Sequence, residues 1–181
     1  MKGSGSLRLF IGIPVPAAGR RALREAAQEL KDRGIDGRYV PEKNYHVTVK
    51  FLGECEDRAL LSPISECMHK AVSDVRPFRL TLKDYSTFRE GKRQTGHVTV
   101  QDTGQELARI YELLDAGLSE LGFPSGSKRY IPHITLGRSM IQTDVPPAVR
   151  HETFLVNSLV LYESTFEKTG MLYTPLHEET F

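Results

Sequence analysis

Apolar and polar residues alternate most regularly along Tyr45-His46-Val47-Thr48-Val49-Lys50-Phe51-Leu52-Gly53. A period of two predicts a strand with Tyr45, Val47, Val49 and Phe51 in a core and His46, Thr48 and Lys50 facing a groove. The pattern returns in Ile131-Pro132-His133-Ile134-Thr135-Leu136-Gly137-Arg138. Between and around these strands the periodicity changes. Leu7 to Ile13 is a nearly continuous apolar run closed by Pro14 and Pro16, which predicts a buried central strand. Ala22, Leu23, Ala26, Ala27 and Leu30 then recur at helical spacing, with Pro16 at the start and Gly34 at the end. Ser62 and Pro63 read as N-cap and first residue of a second helix whose apolar side, from Ile64 to Val75, covers the first sheet. Pro77 ends it. Phe78, Leu80 and Leu82 alternate as a strand, and Arg89 to Gly96 reads as a turn.

A strand then begins at His97, and Thr103 with Glu106 has the form of a capping box before a third helix carrying Leu107, Ile110, Leu114 and Leu118. The His133 strand follows, then a loop at Pro146-Pro147, a long apolar run from Phe154 to Tyr162 and a short last strand at Met171 to Tyr173. Strand, helix and motif strand thus occur twice, as in a diverged internal duplication. Residues 7–181 are expected to form one compact unit, and Met1 to Ser6 a disordered segment.

Composition narrows the picture. A net charge of +1 argues against a protein that wraps long nucleic acid, so an RNA partner would be held by one end. No apolar run is long enough for a bilayer span, and no secretory signal precedes the first strand. Cys55 and Cys67 are too few for a disulfide framework and are read as packing residues in a reducing cytoplasm.

The two motif strands together supply two imidazoles and two hydroxyls, a sufficient set for opening a phosphodiester without a metal. A single strand histidine most often hydrogen-bonds within its sheet; two at corresponding places change that balance. Metal binding is the weaker alternative, since no HExxH, CxxC or acidic cluster lies near either motif. His97-x-Thr99 fits the pattern equally well, and order separates it. Leu9 leads to His46 after 37 positions and Val98 to His133 after 35, which puts His97 on the opening strand of its half rather than the motif strand. Arg138 has the planar fork for a phosphate, but strict alternation points it away from His133 unless a bulge at Gly137 returns it. Lys50 shares the motif face, most simply as a solvated charge, and Tyr45 and Phe51 are assigned to the core rather than to base-stacking platforms. His69, His151 and His177 are read as solvated residues without a role.

These features resemble those of the RNA 2′,3′-cyclic phosphodiesterases, also called 2′-5′ RNA ligases, of the 2H phosphoesterase superfamily. The likeness rests on Leu7-Arg8-Leu9-Phe10 with its prolines, His46 to Glu54, Pro132 to Arg138, and Leu161-Tyr162-Glu163-Ser164 leading to Tyr173-Thr174-Pro175-Leu176. It implies an α+β fold of two pseudo-symmetric lobes, each an antiparallel sheet with helices packed outside, flanking a central groove. It implies catalytic roles for His46 and His133, phosphate contacts from Thr48, Thr135 and Arg138, no cofactor and no metal. The implied reaction is hydrolysis of a cyclic phosphate at an RNA end to a 2′-phosphate by a monomeric enzyme. His46 is read as the acid and His133 as the base, and the pseudo-symmetry leaves the reverse open. Two other readings stay in play: a module that binds nucleotide ends without turnover, and 2′-5′ ligation as the reverse reaction.

Overall fold

Leu7–Pro14 forms β1, and its apolar run is explained by its place inside a four-stranded sheet, where neighbours hydrogen-bond it on both sides. The computed structural model describes residues 6–126, 129–168 and 170–181. The segment expected to be disordered lies outside them except for Ser6, whose hydroxyl donates to Glu54 Oε2 at 2.6 Å. Helix α1 (Ala17–Asp32) follows, then the two-residue β2 (Arg38–Tyr39), β3 (His46–Cys55), α2 (Leu61–Val72), β4 (Phe78–Glu90) and β5 (Arg93–Gln101). Next come α3 (Glu106–Glu120), β6 (His133–Met140), β7 (Thr153–Val156), β8 (Ser158–Glu167) and β9 (Gly170–Thr180). Among these helices none is long and apolar enough to cross a membrane.

The strands make two antiparallel sheets, ordered β3-β1-β8-β9 and β2-β6-β5-β4-β7. In each, the motif strand (β3 or β6) lies beside the opening strand of its half (β1 or β5), so the duplication expected from element order is repeated in topology. The helices do not stay with their own halves. Helix α1 lies against β6 and β7 of the second sheet, whereas α3 lies against β3 of the first and α2 packs on α3 and β9. One continuous cluster of buried side chains runs through both sheets and all three helices.

Several local expectations are corrected by the structure. The predicted turn at 89–96 shrinks to Gly91 and Lys92, with Gly91 at φ +65°, because β4 and β5 extend to form a long hairpin. No Thr103–Glu106 capping box forms. Helix α3 starts after Gln105, which sits in the left-handed region at φ 58°, and the Asp102 carboxylate accepts the Leu107 N–H at 2.7 Å. Helix α2 starts at Leu61, one residue before the expected Ser62 cap, out of a single helical turn at 58–60 capped by Asp57. The Phe154–Tyr162 run is two strands, not one. The chain leaves the edge of the second sheet at Val156 and enters the first at Ser158; Phe154 and Val156 of the one and Leu159 to Leu161 of the other are buried, while Leu155 is exposed on the edge strand. The short strand expected at Met171 is the eleven-residue β9.

Candidate active site

The side chains that face the groove are set by bulges at the same place in the two motif strands. In β3, Thr48 pairs with Gly12 and Lys50 with Ile11, which leaves Val49 as the extra residue. In β6, Thr135 pairs with His97 and Gly137 with Gly96, which leaves Leu136 extra. An extra residue shifts the alternation by one, so the fifth residue after each histidine returns to the histidine's face. That residue is Phe51 in one strand and Arg138 in the other. Arg138 therefore lines the groove, as the bulge at Gly137 would require. Two sequence-based assignments are overturned by the same geometry. Phe51, assigned to the core, is 55% exposed and borders the groove. Lys50, read as a solvated charge on the motif face, is turned to the core side and is 6% exposed. There it pairs with the Asp115 carboxylate of α3 and donates to the Pro124 carbonyl at 2.8 Å.

Both motif histidines are held in the same way. Nδ1 of His46 meets the Asn44 carbonyl at 2.7 Å, and Nδ1 of His133 meets the Ile131 carbonyl at 2.7 Å. A carbonyl accepts only, so each Nδ1 carries its proton and each Nε2 is left for the groove. His46 Nε2 lies 2.8 Å from Thr48 Oγ1. The His46 ring is packed by Phe10 at 4.8 Å and edge-on by Tyr173 at 5.2 Å. Burial pulls its pKa down to about 4, the Asn44 carbonyl opposes this, and the charges of Arg138 and His133 add to the lowering. Burial also lowers His133, opposed by the Ile131 carbonyl and assisted by Arg138.

His97 lies on the opening strand β5, and its ring is buried on the groove face. It stacks on Phe88 at 4.1 Å and meets the His133 ring edge-on at 5.0 Å. Its counterpart in the first lobe is Gly12, since Gly12 pairs with Thr48 as His97 pairs with Thr135. Thr99, the other half of that motif, bonds the Asp84 backbone on β4 through both its donor and acceptor. His69 and His177, expected to stand alone, are joined on α2 and β9 by the Glu179 carboxylate, at 3.3 and 2.8 Å. His151 approaches Asp84 at 3.6 Å.

Two cavities meet at Phe51. The wider, about 800 Å³, holds His133 and Thr48 and is walled by Phe88, Tyr111, Tyr130 and Ile131. Tyr111 and Tyr130 stack at 4.5 Å, and the Tyr130 hydroxyl donates to the Thr48 carbonyl at 3.0 Å, which ties that wall to β3. The narrower, about 350 Å³, holds His46, Arg138, Arg8, Arg38 and Tyr173. Arg8, Arg38 and Phe51 were not assigned to the site from the sequence. A signal existed for Phe51, because it stands at the same offset from its histidine as Arg138. Thr135 shares the His133 face, half-buried. Among the described residues no three His, Cys, Asp or Glu side chains converge as a metal site.

Residues 16–165 match the 2′-5′ RNA ligase superfamily. The chain is 31% identical to the RNA 2′,3′-cyclic phosphodiesterase of Thermotoga maritima over 186 residues, 97% of this chain and 96% of that protein. The enzyme of the same name from Methanocaldococcus jannaschii is 27% identical over 181 residues, 95% and 99% of the two chains. A crystal structure from Thermus thermophilus superposes with a TM-score of 0.84 at 30% identity, covering 96% of this chain and 97% of that one. Escherichia coli LigT, crystallised with 3′-AMP, shares the fold at a TM-score of 0.79 and 24% identity, over 97% and 98%.

Proposed function

The chain belongs to the 2′-5′ RNA ligase superfamily, and from that premise we propose that it hydrolyses 2′,3′-cyclic phosphates at RNA ends to 2′-phosphates. The observation that carries this reading is the pair of imidazoles from opposite lobes, each with Nδ1 anchored to a carbonyl and Nε2 left to the groove. His133 opens on the wide cavity and takes a proton from the water that attacks phosphorus. The bond from phosphorus to the ribose 3′-oxygen breaks, its electron pair stays on that oxygen, and His46 protonates it. Water and cyclic diester become a 2′-phosphate and a 3′-hydroxyl. Thr48, Thr135 and Arg138 bond the non-bridging oxygens, which positions the phosphate and stabilises its charge as the geometry changes. The phosphate takes over the contact that Thr48 otherwise makes with His46.

No step in this scheme needs a Lewis acid. Incubation with an oligonucleotide ending in a 2′,3′-cyclic phosphate is expected to give the 2′-phosphate at the same rate with and without a strong chelator. A 3′-phosphate product, loss of turnover in EDTA restored by zinc or manganese, or tight binding without product would each overturn the reading. The wide aromatic cavity beside His133 also suits a nucleoside 5′-hydroxyl in place of water, which is the 2′-5′ ligation direction; abundant water favours hydrolysis. One chain supplies both histidines, so we assign a monomer. The free thiols of Cys55 and Cys67 fit a reducing cytoplasm.

A further inference from the structure

We propose that the cavity beside His46 is a second phosphate site, in which Arg8 and Arg38 hold the internucleotide phosphate next to the cyclic end. This rests on the reaction proposed above and adds a recognition step to it.

Strand β2 pairs with β6 so that Arg38 stands directly opposite Arg138. Directly paired residues share a face, and like charges placed so repel one another. Arg8 comes to the same cavity from β1 in the other lobe, and no carboxylate lines it. Glu54 is the acid paired with Arg8 in the β1–β3 register, and it accepts from the Ser6 hydroxyl. Among the described residues neither Arg8 nor Arg138 makes a salt bridge. Arg38 donates to Ser139 Oγ at 3.2 Å, and Ser139 is a non-glycine residue in the left-handed region at φ 51°, at a bulge next to Arg138. Backbone strain and unneutralised like charge at one spot are both unfavourable, and an anion relieves the second. The planar guanidinium fork matches a phosphate. Phe10, Phe51, Met171 and Tyr173 supply apolar walls for the sugar and base attached to it.

Direction along the RNA selects the phosphate. The leaving 3′-oxygen lies beside His46, and the same ribose continues through its 5′-oxygen to the upstream phosphate, so the strand runs on the His46 side. Arg138 lines the same cavity as His46 and stands on the strand that carries His133, so it reaches toward the cyclic phosphate while Arg8 and Arg38 remain for the next one.

The test uses a dinucleotide ending in a 2′,3′-cyclic phosphate whose internal linkage is either a phosphate or an uncharged methylphosphonate. The intact protein should prefer the charged linkage by about tenfold in kcat/KM, mainly through KM, as expected for one charge-assisted contact. In Arg38→Ala and Arg8→Ala that ratio should fall toward one, with a flatter salt dependence for the charged substrate. Arg38→Lys should keep part of it. Circular dichroism checks folding, and Arg38→Gln and Arg8→Gln replace any variant that fails to fold. A ratio near one in the unmodified protein, or an unchanged ratio in both arginine variants, overturns the site. Calorimetric binding of the two 2′-phosphate products separates this proposal from the reaction. Turnover without linkage preference removes the site and leaves the reaction; linkage-dependent binding without turnover of either substrate removes the reaction and leaves the site.

Discussion

At the scale of single residues, the histidines are ordered by what surrounds each ring. His46 and His133 each turn Nε2 to the groove because a carbonyl two residues upstream takes Nδ1–H, and Nε2 of His46 meets the Thr48 hydroxyl there. Burial lowers the pKa of both, His46 to about 4. In the proposed mechanism the active form carries one proton on the pair, and its two limbs are properties of the pair. Since both groups are displaced downward from 6.5, the bell in kcat/KM should peak on the acid side of neutrality, falling as pH rises through the upper limb. Bound cyclic phosphate is an anion that favours the charged imidazole, so the kcat profile should lie at higher pH than the kcat/KM profile. Parallel rate measurements from about pH 3.5 to about 9 check both, and a single sigmoid rising into alkali would contradict the paired mechanism. For His97 we propose a packing role. Its ring fills, beside His133 and against Phe88, the place that Gly12 leaves to the Phe10 ring beside His46. His46→Ala or His133→Ala should cost about 10²–10⁴-fold in single-turnover rate, the usual worth of a proton carrier. His97→Ala should cost far less, and His97→Phe, which keeps a flat ring against Phe88, should restore most of the loss. A His97→Phe rate as low as that of His133→Ala would make His97 a proton carrier.

At the scale of elements, the bulge nearest the histidine in each motif strand decides the site. The bulge at Val49 sends Lys50 to the core side and Phe51 to the groove; the bulge at Leu136 brings Arg138 to the groove. The ladder of alternate residues, read without the bulges, is right for His46, Thr48, His133 and Thr135 and reversed for Lys50 and Phe51. The buried ammonium has its own consequence. Asp115 accepts from Lys50 and from the Gly126 N–H, which links β3, α3 and the loop that walls the wide cavity. Asp115→Ala leaves a nearly buried charge without its partner and should lower stability by about 3 kcal/mol. A urea midpoint shifted at constant slope is the expected record, and an unchanged midpoint would show that Lys50 finds other solvation.

At the scale of the whole molecule, the helix after each opening strand packs against the other lobe's sheet, and the core is one cluster. Neither lobe buries its apolar face alone, so tyrosine fluorescence and far-ultraviolet dichroism should report one coincident urea transition. Two separated transitions would mean independent lobes. The sequence by itself determined what depends on neighbours along the chain: the buried run of β1, the amphipathic helices, and the placing of His46 with Thr48 and His133 with Thr135, because a strand's period of two is a local property. Tertiary structure decided what depends on strands distant in sequence. Bulges are defined only against a partner strand, which is why Lys50, Phe51 and Arg138 needed the sheets. Arg38 meets Arg138 through a two-residue strand too short to leave a periodic signal, and Arg8 joins them from the other lobe. His97 reaches His133 because β5 and β6 pair, and no spacing along one strand encodes that.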